Sequence, residues 1–354
     1  MSEIIRGVTF EGSKDTQLFD QMITSTIENA TYENMGQRIM NELYFTDTTI
    51  LGEKQEFGDM DPGNGLFESG ELEKAKEVPM SFGNTKGVYQ KIYKGKISVT
   101  GVFYDWMKST RSLEGANTDV QARMLEKGKE MQYLLKNGEK TKAQIVTKVI
   151  TEGELSNAAN WPGSLTNDGQ PLFSTAHPIA RTGEVQSNLV TAALGTDAEK
   201  LAALETAVNN LRNMRLNNGD FVPTDGGFVL KTTIQGKLAW TRALNAEFGK
   251  SGQGSNSEAV NIFSVQGFDV TIESLETLTT YDTDGNIIGD ATSAYLMNPK
   301  YLREYEALKG YTIKPLTIVT DEIKDPRSYV ALAEMLFGAD HYNAQRGIVK
   351  IKAS

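Results

Sequence analysis

The stretch from Thr118 to Glu152 constrains this chain more than any other. Val120, Met124, Leu125, Gly128, Met131, Leu134, Leu135, Gly138, Ile145, Val146, Val149 and Ile150 recur close to the i, i+3, i+4, i+7 spacing that gathers side chains on one face of an α-helix. Lys, Glu, Gln and Arg fill the other face. Asn117, Thr118 and Asp119 offer N-caps, and Gly153 followed by Ser156 and Asn157 offers a stop. At 1.5 Å per residue, a helix over 118–152 spans roughly 50 Å, longer than a small domain is wide. Such a helix acts as a spine, and the molecule built on it is elongated. Taken alone, the pattern also suits a long core helix of an enzyme, so the flanking sequence has to decide.

The chain of 354 residues can bury a substantial core and ordinarily holds two or three domains. No run approaches 18 apolar residues, so no membrane span is predicted. The first thirty residues carry Glu3, Glu11, Asp15, Asp20 and Glu28 and show no basic start followed by an apolar run, so no secretory signal is visible. The absence of cysteine excludes disulfides, a thiol nucleophile and Cys-based zinc sites, and fits synthesis in a cytoplasm. A net charge of -10 argues against a general DNA-coating protein, which needs clustered Lys and Arg to displace counterions. An acidic wall beside nucleic acid is compatible with that charge.

Residues 1–50 read as a polar arm with a helical pattern at Leu18, Met22, Ile23 and Ile27, then a second short helix through Met35, Ile39, Met40, Leu43 and Phe45. Residues 52–78 are glycine-punctuated and rich in Glu, which is turn chemistry without a core of its own. Residues 79–106 alternate β-branched and aromatic residues and predict a long exposed hairpin. After the spine, residues 154–196 form a long Gly, Asn, Ser and Thr-rich connection, of a length that is usually functional or pinned by local turns. A helix over 197–216, capped by Asp197, precedes a strand at Gly226–Leu230 and a helix at Ile234–Leu244. Beyond 259 the chain predicts strands at Val265–Leu275, Ala294–Met297, Ile313–Val319 and Ile348–Lys352, a helix at Pro299–Leu308 and a helix-like stretch at Tyr329–Phe337. The fold class is mixed α+β, without internal repeats.

Little in the sequence points to catalysis. Gly249-Lys250-Ser251 suggests a phosphate loop, but Leu244 stands where that motif requires its first glycine. Asp282, Asp284 and Asn286 resemble the start of a calcium loop, yet Ser293 occupies the twelfth position where a bidentate Glu belongs, so a β-turn at Asp284-Gly285 is expected. Ser174, His177 and an acidic residue could form a hydrolytic triad, but no second signature accompanies them. His177 is expected to fix a Pro-bounded turn structurally, His341 to sit near a surface turn, and Trp106, Trp161 and Trp240 to pack in cores or interfaces. No cofactor or metal is implied.

The segment Pro171-Leu172-Phe173-Ser174-Thr175-Ala176-His177-Pro178 resembles the major capsid proteins of tailed bacteriophages, particularly the Mu-like major head subunits, where a similar Leu-Phe-Ser-Thr-Ala-His-Pro segment follows the long helix. That resemblance implies an HK97-like capsid fold: an N-terminal arm at 1–50, an extended loop at 51–105, a peripheral domain at 106–230 with the spine helix 118–152, an axial domain at 231–335 and a return strand to the peripheral domain at 336–354. It further implies a homo-oligomer of hexamers and pentamers forming an icosahedral virion shell around double-stranded DNA. Portal, scaffolding and decoration proteins would be partners, and assembly would occur in a host cytoplasm. No covalent crosslinking motif surrounds Lys74, Lys76 or Lys86. The rival readings are an encapsulin-like nanocompartment shell and, more distantly, a soluble hydrolase using Ser174 and His177.

Six residues are singled out for structure or assembly. Phe173 should anchor its loop and His177 should fix the turn. Leu66 and Phe67 are adjacent apolar residues within the charged loop. Gly128 and Gly138 weaken the spine at about 1 kcal/mol each, either because a neighbour leaves no room for a methyl group or because the helix must bend.

Overall fold

The computed structural model describes residues 9–12, 35–49, 54–61, 81–89, 91–102, 105, 118–154, 165–166, 168–179, 182–216, 219–248, 262–275, 278, 280–281, 287–288, 293–324 and 327–354. Leu66, Phe67, Gly249-Lys250-Ser251, Asp282–Asn286, Trp106 and Trp161 lie outside them. The spine forms as one helix over Thr118–Thr151. A helix so long needs tertiary cover, because propensity alone contributes little. One sheet and a short neighbouring helix supply it, and a second sheet lies beyond the helix's C-terminal end.

The first sheet is built on a long antiparallel hairpin, Leu308–Lys324 with Arg327–His341. The strand Lys91–Thr100 pairs with one side, from Ser328↔Thr100 to Phe337↔Lys91. Two short parallel strands, Phe45–Thr49 and Thr9–Gly12, line the other side at Leu308–Thr312 and Thr317–Thr320. Residues early in the sequence thereby complete the edge of a strand near its end. The spine covers this sheet at close range. A Cβ on Gly95 would lie 2.5 Å from Leu134 Cδ1, and one on Gly138 3.0 Å from Leu316 Cδ2. The short helix Met35–Glu42 packs beside the spine, with Gly36 N donating to Glu139 Oε2 at 2.9 Å.

The second sheet has six strands in the order Ile262–Val265, Phe268–Ser274, Phe228–Thr232, Ala294–Met297, Ile348–Ala353 and Leu189–Ala192. Helices Asp197–Arg212 and Ile234–Phe248 pack against each other and on this sheet, burying Leu204, Val208, Leu211 and Trp240 completely. The N-cap of the first helix is Thr196, one residue before the expected Asp197. Thr196 Oγ1 accepts from Glu199 N and Glu199 Oε2 accepts from Thr196 N, a reciprocal pair that satisfies two orphan amides.

Several expectations need correction. Tyr329–Phe337 is strand, not helix. Its Ala, Leu, Glu and Met content favours helix intrinsically, but pairing on both sides and burial of Ala331, Ala333, Met335, Phe337 and Ala339 impose a period of two. The boundary drawn between 335 and 336 therefore falls inside one continuous strand. The return strand Ile348–Ala353 lies in the six-stranded sheet, between Ala294–Met297 and Leu189–Ala192. The helix begun at Pro299 stops at Glu304, where Tyr305 and a left-handed Glu306 turn the chain into the strand starting at Leu308. His341 is 2% exposed at the end of a strand, not near a surface turn.

Ser81–Tyr89 and Lys91–Thr100 do not form a hairpin with each other. Only Gln90 separates them, too little for even a two-residue turn, so the run changes partners instead. Ser81–Tyr89 pairs with Lys54–Asp61 in a separate two-stranded ribbon, bulged between Gly58 and Met60.

Candidate functional site

The Phe173–His177 segment lies where the C-terminal end of the spine meets the six-stranded sheet. Phe173 N donates to Gly153 O at 2.9 Å, directly after the helix ends. The Phe173 ring is 2% exposed, 5.8 Å from the Tyr295 ring, with Lys350 Nζ 5.8 Å from its centroid. A Cβ on Gly153 would lie 2.8 Å from two atoms of this ring, so the glycine both stops the helix and admits the aromatic ring. Beside it Glu154 bridges Lys350 and Lys352 of the C-terminal strand. Burial works to raise the Glu154 carboxyl, but the two ammonium groups outweigh it and hold it below the usual carboxylate range.

His177 is 1% exposed and closes a polar knot. Asn188 Nδ2 donates to Leu172 O at 2.6 Å and to Gln345 O at 3.1 Å, while its Oδ1 accepts from Ser174 N at 2.8 Å. That orientation places Asn188 Oδ1 3.2 Å from His177 Nε2, and Asp168 Oδ2 lies 2.8 Å from Nδ1. The ring is thus pinned between the Asp168 carboxylate and the Asn188 amide oxygen. The second Asp168 oxygen accepts from Thr166 Oγ1 and from Gln170 N. Burial alone would raise the Asp168 carboxyl, but the His177 contact, then Thr166 and Gln170, bring it below its ordinary value.

This geometry holds chain segments together rather than activating a nucleophile. Ser174 Oγ donates to Gln170 Oε1 at 3.3 Å and accepts from Ala176 N at 3.2 Å, while both His177 nitrogens are engaged elsewhere. The serine and histidine of the hydrolytic reading are not brought together. Among the described residues no cluster of His, Asp and Glu could hold a metal ion, and no helix is long and apolar enough to cross a membrane.

Of the other singled-out residues, Gly138 packs on Leu316 of the long hairpin, beside a groove of about 230 Å³ lined by Tyr93, Leu134, Met335 and both of these residues. Gly128 lies in the helix, and its surroundings are outside the described residues. Asp168, Asn188 and Gly153 were missed by sequence reasoning as site residues. Asn167-Asp168-Gly169 is a turn signature that could have drawn attention to Asp168. Asn188 carries no local signal, because Gln345, one of its partners, is 157 residues away.

No family model and no curated protein matches the sequence. Among solved structures, the chain is similar to one in the asymmetric unit of the mature capsid of bacteriophage PhiM1, with a TM-score of 0.50 and 9% identity over 92% of this chain and 88% of that one. Similarity extends to the capsid structure of Cyanophage P-SCSP1u, at a TM-score of 0.49 and 12% identity over 88% of this chain and 86% of that one. The capsid of a native GTA particle gives a TM-score of 0.45 and 10% identity over 100% and 94% of the two chains. The α+β architecture is the HK97-like fold of phage capsid chains.

Proposed function

We propose that this chain is a major capsid subunit, self-assembling into hexamers and pentamers of an icosahedral shell that encloses double-stranded DNA. The observation that carries the reading is the joint presence of the spine, the long hairpin laid beneath it and a two-stranded ribbon, in a fold shared with a chain of the PhiM1 capsid. A container subunit works through closed symmetry and buried interface area rather than through an active site. The sequence between the two ribbon strands, with Leu66 and Phe67 among glutamates, suits a role on a neighbouring copy, since its glycine and charge content leaves little apolar area to bury within one subunit. The net charge of -10 suits a wall that confines DNA without gripping it. Portal, scaffolding and decoration proteins are the partners this role calls for, with the shell assembled in a host cytoplasm.

The test is electron microscopy of the purified expressed protein. Closed shells of uniform diameter support the role, and particles that incorporate a portal and contain DNA when isolated from infected cells distinguish a phage head from a nanocompartment that holds protein cargo. A protein that stays monomeric under all assembly conditions refutes it.

A further inference from the structure

The six-stranded unit is two layers deep, and each layer leaves part of its outer side bare. Phe228, Leu230, Val270 and Ile272 alternate onto one face of the sheet and are buried beneath the helices Asp197–Arg212 and Ile234–Phe248. The residues between them point to the other face. There Ile262, Thr271 and Val229 stand on one rung across three strands, and Ser264 pairs with the exposed Asp269 on the next. Ile262 is 58% exposed, and Thr271 and Val229 are half-buried. Two residues along, Lys231 pairs with Glu273 and lies 5.6 Å from the centroid of the Tyr44 ring, so cover from the rest of the molecule reaches that rung and leaves Ile262 open.

The helix layer carries a matching stripe. Ile234 and Leu238, at i and i+4 of Ile234–Phe248, point away from the sheet and are 47% and 65% exposed, with the exposed Arg242 one turn further on. Trp240, Ala243 and Leu244 of the same helix are buried, so the helix is apolar on its outer side as well as its inner one. A lone exposed apolar side chain is ordinary. Here apolar ground lies on both outer sides of one unit, which marks interaction surfaces. Among the described residues neither Arg242 nor Asp269 forms an ion pair. An apolar stripe beside an unpaired cation on one side therefore answers an apolar rung beside an unpaired anion on the other.

We propose that these two surfaces bind each other between copies of the chain: the Ile234 and Leu238 stripe of one subunit seats on the Ile262 rung of the next, with Arg242 facing Asp269. Lying on opposite sides of one unit, the two surfaces cannot meet within a single chain. The contact joins two different patches head to tail, so its repetition closes into a ring or runs on as a filament. It also completes the layering, because each sheet then carries helices on both faces. The proposal rests on the shell reading above and deepens it, since it names the contact that builds the rings of subunits.

Both patches are exposed, so charged substitutions there should leave the unassembled subunit folded, with the melting temperature of the parent. Leu238→Glu spoils only the helix side and Ile262→Glu only the sheet side. Native mass spectrometry of the full-length protein should find each variant monomeric under conditions where the parent forms rings or shells. An equimolar mixture of the two should form a one-to-one dimer and nothing larger, because one intact pair of surfaces remains and the other junction sets Glu against Glu. Arg242→Asp should weaken assembly, and Arg242→Asp with Asp269→Arg should restore it, a rescue that a folding defect would not show. Parent-like assembly by either Glu variant would overturn the contact and leave the shell reading standing, and a mixture that stays monomeric would overturn it as well. A parent that never assembles removes both.

Discussion

Replacing Gly153 by Ala perturbs the joint between spine and sheet with a single methyl group. That methyl would sit 2.8 Å from Cδ2 and from Cε2 of Phe173, and 3.0 Å from Leu172 Cδ2. The ring cannot withdraw easily, since it is 2% exposed, lies 5.8 Å from Tyr295 and is tied at its own backbone to Gly153 O. Overpacking of a rigid, well-filled site costs about 1–3 kcal/mol. Gly153 follows the last helical residue, Thr151, so little helix propensity is gained in return. The change should lower the melting temperature of the unassembled subunit by roughly 2–12 °C, at about 2–4 °C per kcal/mol.

The same reasoning fixes the response in a second background. Phe173→Ala should itself cost about 3–5 kcal/mol. The space it opens then accepts the Gly153→Ala methyl, so the second change becomes neutral or stabilising, with a coupling of at least about 1 kcal/mol between the contacting sites. Denaturant titration of the parent, both single variants and the double variant measures this cycle. A parent-like melting temperature for Gly153→Ala, or equal losses in both backgrounds, would refute the account of Phe173 as the ring that this glycine admits.

Gly138→Ala should behave oppositely: its methyl meets only the flexible end of Leu316 beside an open groove, so roughly 0.5–1 kcal/mol of helix propensity should survive as increased thermal stability. Combined with Gly128→Ala, it should also slow conversion of a precursor shell to its mature form, and conversion at the parent rate would remove the softening role. Asp168 has a lowered folded-state pKa, so its stabilisation is fully present above the unfolded value of about 3.9 and is lost as pH falls through the folded value. Asp168→Asn should therefore be less stable near neutrality and show a shallower decline between about pH 5 and 2 than the parent, as followed by acid titration of circular dichroism. Replacing 66–77 by a short Gly-Ser turn should leave a folded, soluble subunit that fails to close into shells, and normal particles from that variant would show that this charged segment is dispensable.

The features readable from sequence were those set by local pattern. The spine, the strand Ala294–Met297 and the final strand at Ile348 follow from periodicity and bounding turn residues. The segment Tyr329–Phe337 was misread because its intrinsic preference is helical, and only its two strand partners, distant in sequence, decide otherwise. Partner choice was equally hidden for Ser81–Tyr89, which pairs across the ribbon rather than with the strand that follows it. At the candidate site, Phe173 and His177 were legible as apolar and polar anchors in a Pro-bounded segment. Asn188 and the Gln345 carbonyl were not, because the hydrogen bonds that give them meaning close over long sequence separations.

The central claim is that this fold is a shell tile, and electron microscopy of the expressed, purified protein tests it most directly. The account predicts closed icosahedral particles whose reconstruction shows hexamers and pentamers, with the Lys54–Asp61 and Ser81–Tyr89 ribbon of each subunit lying over a neighbour. A monodisperse monomer that never assembles, or a closed oligomer in which the ribbon contacts no second copy, would contradict it.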